Sequence, residues 1–485
     1  MSTTSSSPQI LNTAAFPSAE RIHQWVSDLA SLGHRKTGTP EGRKSAEYIA
    51  DVFRSAGLQV NIETAPTPCP TVHQQEFRID DRVVESFWVN GTGRWADLGR
   101  FTSGTLQAAD VIYVGAGREA DFEGVDVTGK IVVCDIEFHP SSTATFLEGN
   151  PRAFTYDPEG TLDIPRNKYD IYSPNNWPGN YFTAQARGAA GFVGALQNYM
   201  DCYNYNEDYT ENGEILGADH MAVPAVWISR ADGRSVVESI AARGGVGRGR
   251  LDVDVEYELK DALNVNGILP GLSPEMILVH SHHDAVFSGA VQDASGVSEV
   301  LALAEYFAAQ PIEARPKTMM FAATDTHFTD YVGHLAFLEE RENAGDKILV
   351  DLCIEHVGKE IELADDNSPV ETGYIEPRIV YVSDETGLLP VVQAAFEAHG
   401  LDRTIFAPVS SDDGGDAEGP YEFRSDEVVS DAYYFAEAGV PVVSLVAGQM
   451  YLFHPSDTID RVPIEHLRPV GLAFAQIATE AHHRL

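Results

Sequence analysis

An apolar run, Ile277-Leu278-Val279, leads into His280, Ser281, His282, His283 and Asp284, and Asp293-Ala294-Ser295-Gly296-Val297 follows nine residues later. Imidazoles and carboxylates at the end of a strand, followed by a small-residue turn into a helix, are how an α/β protein presents a metal ion. Four further candidates occupy comparable positions: His327, Glu355 with its neighbour His356, and His454 in Phe453-His454-Pro455-Ser456-Asp457. Imidazole mixed with carboxylate suits Zn²⁺, Fe²⁺ or Mn²⁺. The three remaining histidines of this region, His280, His283 and His334, read first as hydrogen-bonded core residues. His356 points to the face opposite Glu355 if the strand continues, and so it also reads as packed.

These residues converge only if strands with a common direction deliver them to one edge. From Asn264 the chain alternates strands at 277–280, 319–324, 349–354 and 442–446 with helices near 296–309, 330–341, 386–399 and 463–483. That alternation predicts a mostly parallel sheet with helices on both faces, its ligands at the carboxyl ends of the strands. Two amphipathic helices, 18–32 and 40–57, open the chain, stopped by Gly33 and Gly57. Short buried strands begin at Asp110, Gly129 and Val223, and we read residues 101–260 as a compact insert. Segments 360–376 and 409–427 read as acidic loops.

A chain of 485 residues exceeds one ordinary core, and 43% hydrophobic with 22% charged residues describes a globular protein. Thirty-three basic against 73 acidic side chains give a net charge of −40, which opposes nucleic acid and anionic membranes as partners. The four cysteines show no C-x-x-C spacing and imply neither a disulfide framework nor a zinc ribbon. No apolar run approaches the ~18 residues of a membrane span, and no basic, apolar leader opens the sequence. The expectation is a cytoplasmic protein acting on a small-molecule or peptide-like substrate, with a homo-oligomer left open.

Several motifs together resemble the M28 family of zinc metallopeptidases over nearly the whole chain. They are Gly33-His-Arg-Lys-Thr-Gly-Thr-Pro, Asn264-Val-Asn-Gly, His282-His-Asp284, Ser295-Gly296, Gly333, Glu355-His-Val-Gly, Ser430-Asp431 and His454-Pro-Ser-Asp-Thr. The resemblance implies a zinc-aminopeptidase-like α/β domain from residues 1–100 and 261–485, a mostly parallel sheet flanked by helices. It also implies a small α/β protease-associated domain at 101–260, carried by Ala186-Arg-Gly-Ala-Ala-Gly and Val223-Pro-Ala-Val. The family holds two zinc ions. Carried over, His282 stands as first ligand, His454 as last, Glu355 in place of an aspartate, and Asp284 as the carboxylate that orients His282.

The other positions depart from the family. Gln292 falls at the bridging aspartate, with Asp293 one residue later, His327 replaces the glutamate base, and Phe328 replaces a glutamate ligand. A neutral bridge cannot hold two dications together, and phenylalanine ligates nothing. One divalent ion (Zn, Fe or Mn) is therefore expected, held by His282, Glu355 and His454 with His327 or Asp293. His327 is open between ligand, general base and filler, so the catalytic candidates are His327 and Asp284. The aromatic, amide-rich loops 175–182 and 203–209 suggest walls for an aromatic substrate. The leading expectation is a metal-dependent hydrolase of an amide-like bond that lacks the usual glutamate base. The alternatives are a mononuclear iron lyase or oxygenase and a non-catalytic pseudo-peptidase.

Overall fold

The computed structural model describes residues 11–92, 99–102, 108–166, 168–206, 221–410 and 428–485. Most of the acidic loop expected at 409–427, and the end of the 203–209 loop, lie outside the described residues.

The centre of the molecule is a run of four parallel strands, in the order Lys317–Thr324, Ser273–His282, Ile348–Ile354 and Val442–Ala447. Their second halves are buried without alternation, because helices cover both faces and neither side meets water. Helix Gly296–Ala308 is buried along most of its length, while the longer Ile464–Arg484 packs beside it with one side towards solvent. The opening helices Ala19–Ala30 and Pro40–Ala56 form where expected, each with a Ser or Thr hydroxyl accepting a first-turn amide.

The parallel core sits inside a larger mixed sheet, of sixteen strands among the described residues, in an α/β fold. Gln59–Ile79 and Gly247–Leu269 form a long antiparallel ribbon that runs from the parallel core into the segment expected to be an insert. The boundary expected between residues 260 and 261 therefore falls inside a strand. The insert contributes its own parallel strands, Ala109–Tyr113, Ile131–Ile136, Gly191–Leu196 and Ala225–Ser229. It is not compact throughout: Phe154–Tyr156 leaves it to pair with Thr404–Val409 at the opposite end of the sheet. Residues 360–376 are also not a loop, since Lys359–Leu363 and Pro369–Ile375 pair as an antiparallel hairpin. Acidic side chains on exposed hairpin positions hid the strand pattern there.

One buried side chain ties the opening helices to the metal strand. Arg35, fully buried, donates from Nε to the carbonyl of His283 at 2.9 Å, and from its two Nη atoms to Ser288 and Gly289 at 2.7 Å each. This fork fixes the turn after His282, where Gly289 takes φ +50°. Arg35→Met should lower unfolding stability by about 3 kcal/mol or more, because two buried carbonyls and one half-buried carbonyl lose their donor. Arg35→Lys should recover little of it, as read from urea denaturation midpoints.

Candidate functional site

Strand Ser273–His282 delivers His282, fully buried, to the carboxyl edge. Its Nδ1 lies 3.0 Å from the backbone oxygen of Asp284 and 3.4 Å from that residue's carboxylate. Both are acceptors, so Nδ1 carries the proton and Nε2 keeps its lone pair. Nε2 is buried and has no hydrogen-bond partner.

Strand Ile348–Ile354 ends one residue before Glu355, and this termination overturns the expectation for His356. His356 takes φ +59°, outside the extended range, so side-chain alternation no longer applies and its ring turns to the same side as Glu355. Its Nδ1 meets the carbonyl of Ala447 at 2.7 Å, which again leaves a buried Nε2 with a lone pair and no partner. The Glu355 Oε1 accepts from the Asp431 amide at 3.0 Å and faces the Cys353 thiol at 3.1 Å. Its Oε2 lies 3.8 Å from His356 Nε2. Ligand atoms of His282, Glu355 and His356 all fall within 4.8 Å of one another. Two outward-turned lone pairs and a carboxylate oxygen form a donor set that fits a divalent ion.

Electrostatics favour a cation here. Glu355 is pushed well above the usual carboxylate range by burial and by the negative charges of Asp431 and Asp293. Burial, above all, with the imidazoles of His282 and His327 alongside, holds His356 down at about 3 and keeps it neutral. Asp431 behaves differently: burial acts to raise it, but His327, His334 and His282 outweigh burial and hold it well below its usual value.

His327 follows strand Lys317–Thr324 and stacks on His282 with ring centroids 4.1 Å apart. Its Nδ1 is 2.7 Å from Asp431, and its Nε2 is 3.1 Å from the Gln292 amide nitrogen. His282, His327 and Asp431 form a second group with ligand atoms inside 4.8 Å. Asp284 clamps this turn, its two carboxylate oxygens accepting the amides of His327 and Phe328 at 3.1 and 3.0 Å. Strain collects in the same loops: Thr326, Asp330, Tyr331 and His356 all adopt positive φ.

Two expected ligands are placed otherwise. Asp293 joins none of these groups, because its carboxylate is already engaged. It accepts the amides of Gly296 at 3.0 Å and His356 at 3.1 Å, and the Ser281 hydroxyl. It joins three segments at the edge instead of facing the site. Gly296 is required beside it, since any Cβ there would collide with the Ile354 carbonyl. His454 also joins none of the groups. Its Nδ1 faces both the Ser456 amide at 3.0 Å and the Ser456 hydroxyl at 2.7 Å, and its Nε2 is buried without a hydrogen-bond partner. Burial holds it down at about 4 and neutral. His280 pairs with Asp351 at 2.7 Å, His283 with the Leu263 carbonyl at 2.8 Å, and His334 with Asp431 at 2.8 Å, and His280, His334 and Asp431 form a further group with ligand atoms inside 4.8 Å.

The sequence reading missed three residues besides His356. Asp431 holds both His327 and His334. Asp457 accepts the amides of Val291 and Gln292 at 2.7 and 3.0 Å, and Arg35 fixes the turn between them and His282. Each lay within a motif quoted above, and that was its only signal. Of the expected aromatic loops, Trp177 and Tyr205 pack on Trp227 in the insert, and Tyr205 also meets Phe453. The site opens instead onto a cavity of about 540 Å³ bordered by Tyr331, Phe146, Tyr374 and Tyr381.

Asp284→Ala should cost about 2–4 kcal/mol of unfolding stability, since two buried amides lose their acceptor. Urea denaturation in the presence of a chelator checks this independently of any bound ion.

Residues 264–353 match the model of peptidase family M28. No curated protein sequence matches the chain. Among solved structures, BSAP, a zinc aminopeptidase from Bacillus subtilis, is 18% identical, with 96% of each chain covered and a TM-score of 0.64. The Peptidase M28 precursor from Shewanella amazonensis SB2B gives the same identity, coverage and TM-score. An aminopeptidase from Aneurinibacillus sp. strain AM-1 is 20% identical over 97% of this chain and 94% of its own, with a TM-score of 0.57. No helix among the described residues is long and apolar enough to cross a membrane. With a segment that matches the M28 family model and a fold like that of the zinc aminopeptidase BSAP, the chain resembles the M28 metallopeptidases and shares their fold.

Proposed function

We propose that this protein is a mononuclear metal-dependent hydrolase of an amide-like bond in a small substrate, with the ion held by His282, Glu355 and His356. The supporting observation is the pair of buried Nε2 atoms without partners beside a carboxylate oxygen, each imidazole fixed through Nδ1. Gln292 and Phe328, at the positions of a bridging and a ligating carboxylate, argue for one ion, and zinc is the first choice from the fold. A divalent cation bound there supplies Lewis acidity, polarising a carbonyl and making water a better nucleophile near neutral pH.

The chain's own residues then handle the proton. Asp431 holds the Nδ1–H of His327 and leaves Nε2, which faces the Gln292 amide, as the basic atom. In this reading His327 takes a proton from water as its oxygen bonds to the carbonyl carbon. It returns the proton to the nitrogen as the carbon–nitrogen bond breaks, leaving a carboxylic acid and an amine. His327 is thus a base and not a ligand, and Asp284 a positioning residue that sets both His282 and the His327 turn. The cavity accommodates a small molecule and the surface is strongly acidic, so neither nucleic acid nor an anionic membrane is a suitable partner.

A second reading rests on the same donor set. Two histidines and one carboxylate also form the facial triad of mononuclear iron(II) oxygenases. Oxygen uptake with iron, and none with zinc, would favour it over hydrolysis. A chain that takes up neither metal would instead be a non-catalytic binding protein.

Elemental analysis of protein purified with zinc, iron and manganese available should find close to one ion per chain. His282→Ala and His356→Ala should each lose it, while His454→Ala keeps it. Two ions per chain, or loss on His454→Ala alone, would contradict the assignment.

Leucine p-nitroanilide should be cleaved far below the ~1–10³ s⁻¹ of typical enzymes, because the glutamate base is replaced. On a substrate that is turned over, His327→Ala should lower kcat by about 10²–10⁴ with bound metal unchanged. Loss of the ion in that variant would make His327 a ligand.

A further inference from the structure

The cavity extends well beyond the ion-binding atoms. His327, Glu355, His356 and Asp431 border one end, and the other is built by the hairpin that leaves the site just after Gly358. The hairpin returns close to its origin, since the Glu376 amide donates to the Gly358 carbonyl at 3.1 Å. Strand Lys168–Pro174, from the insert, closes this end.

Charges there are paired but not balanced. Four carboxylates (Asp163, Glu360, Glu362 and Glu376) meet three cations (Arg166, Lys168 and Arg403). Arg166 pairs with Glu362, and Arg403 lies 3.0 Å from Glu360. Lys168 is divided between Glu360 and the Oε1 of Glu376, the latter at 2.8 Å. Glu376 is 4% exposed, and its Oε2 is buried without a hydrogen-bond partner. Burial, which Lys168 only partly offsets, pushes its carboxyl up to about 7. A buried carboxyl at a cavity wall, sharing Lys168 with Glu360 and with Arg403 nearby, has one oxygen left to accept a further donor, and a cationic donor there would hold it ionised.

We propose that this end of the cavity is a specificity subsite for a protonated amine on the substrate, with Glu376 Oε2 as its acceptor. Tyr331, Tyr374, Tyr381 and Phe146 supply a wall for the aromatic or aliphatic body between amine and scissile bond. The inference rests on the preceding reading for the location of that bond, so the substrate class becomes a small amide bearing an amine remote from the ion.

The probes are benzylamine and benzyl alcohol, which differ in the cationic nitrogen, titrated calorimetrically into zinc-loaded protein and into protein treated with chelator. Wild type should bind benzylamine the tighter in both forms. Glu376→Gln should weaken benzylamine about tenfold or more while leaving benzyl alcohol and zinc uptake unchanged. A crystal of the wild-type protein soaked in benzylamine should place the nitrogen within hydrogen-bond distance of Glu376 Oε2. Equal benzylamine affinity in wild type and Glu376→Gln, or a nitrogen lodged elsewhere, overturns the subsite. Glu376-dependent amine binding in a protein that takes up no zinc would uphold the subsite and overturn the hydrolase reading instead.

Discussion

An imidazole can offer a lone pair to a cation only if its other nitrogen holds the proton, and in a buried site something must accept that proton. His282 and His356 meet this condition in the same way, each directing Nδ1–H to a main-chain oxygen, of Asp284 and of Ala447. Both rings are thereby fixed in tautomer and direction, with Nε2 turned to a common point beside Glu355. His454 is held differently, its Nδ1 between the amide and the hydroxyl of Ser456, and its ring nitrogens join no cluster with the other candidates among the described residues. The placement of those nitrogens at the edge separates it from His282 and His356.

The rest of the edge maintains that arrangement. Asp293 joins the metal strand, the start of helix Gly296–Ala308 and the His356 turn through three hydrogen bonds. Asp284 holds His327 and Phe328, Asp457 holds Val291 and Gln292, and Arg35 closes the loop between them. Burying so many carboxylates is expensive in free energy unless cations or donors answer each one. Backbone amides answer Asp284, Asp293 and Asp457, and imidazoles answer Asp431. Glu355, with one amide and a weak thiol donor, is left for an ion, and Glu376 stands in a similar position at the far end of the cavity.

Much of this was legible in the sequence, because continuous buried strands alternating with helices leave a period that does not depend on function. The central strands and flanking helices fall within a few residues of their expected bounds, and His282, Glu355 and His327 meet at one edge. At the site the differences share a cause: they concern direction, not location. Strand parity points His356 to the wrong face because a positive φ two residues past the strand is invisible in residue type. Asp293 and His454 were located but not oriented, since only neighbouring amides reveal that their acceptor atoms are engaged. The hairpin at 359–375 was obscured by exposed acidic residues, and the departure of Phe154–Tyr156 from the insert depends on a pairing partner some 250 residues away.

The central claim is the identity of the three ligands, and anomalous diffraction from crystals grown with zinc tests it most directly. The account predicts one anomalous peak per chain, within bonding distance of His282 Nε2, His356 Nε2 and a Glu355 oxygen, with His454 outside its coordination. Two peaks, or a single peak coordinated by His454 and not by His356, would contradict it.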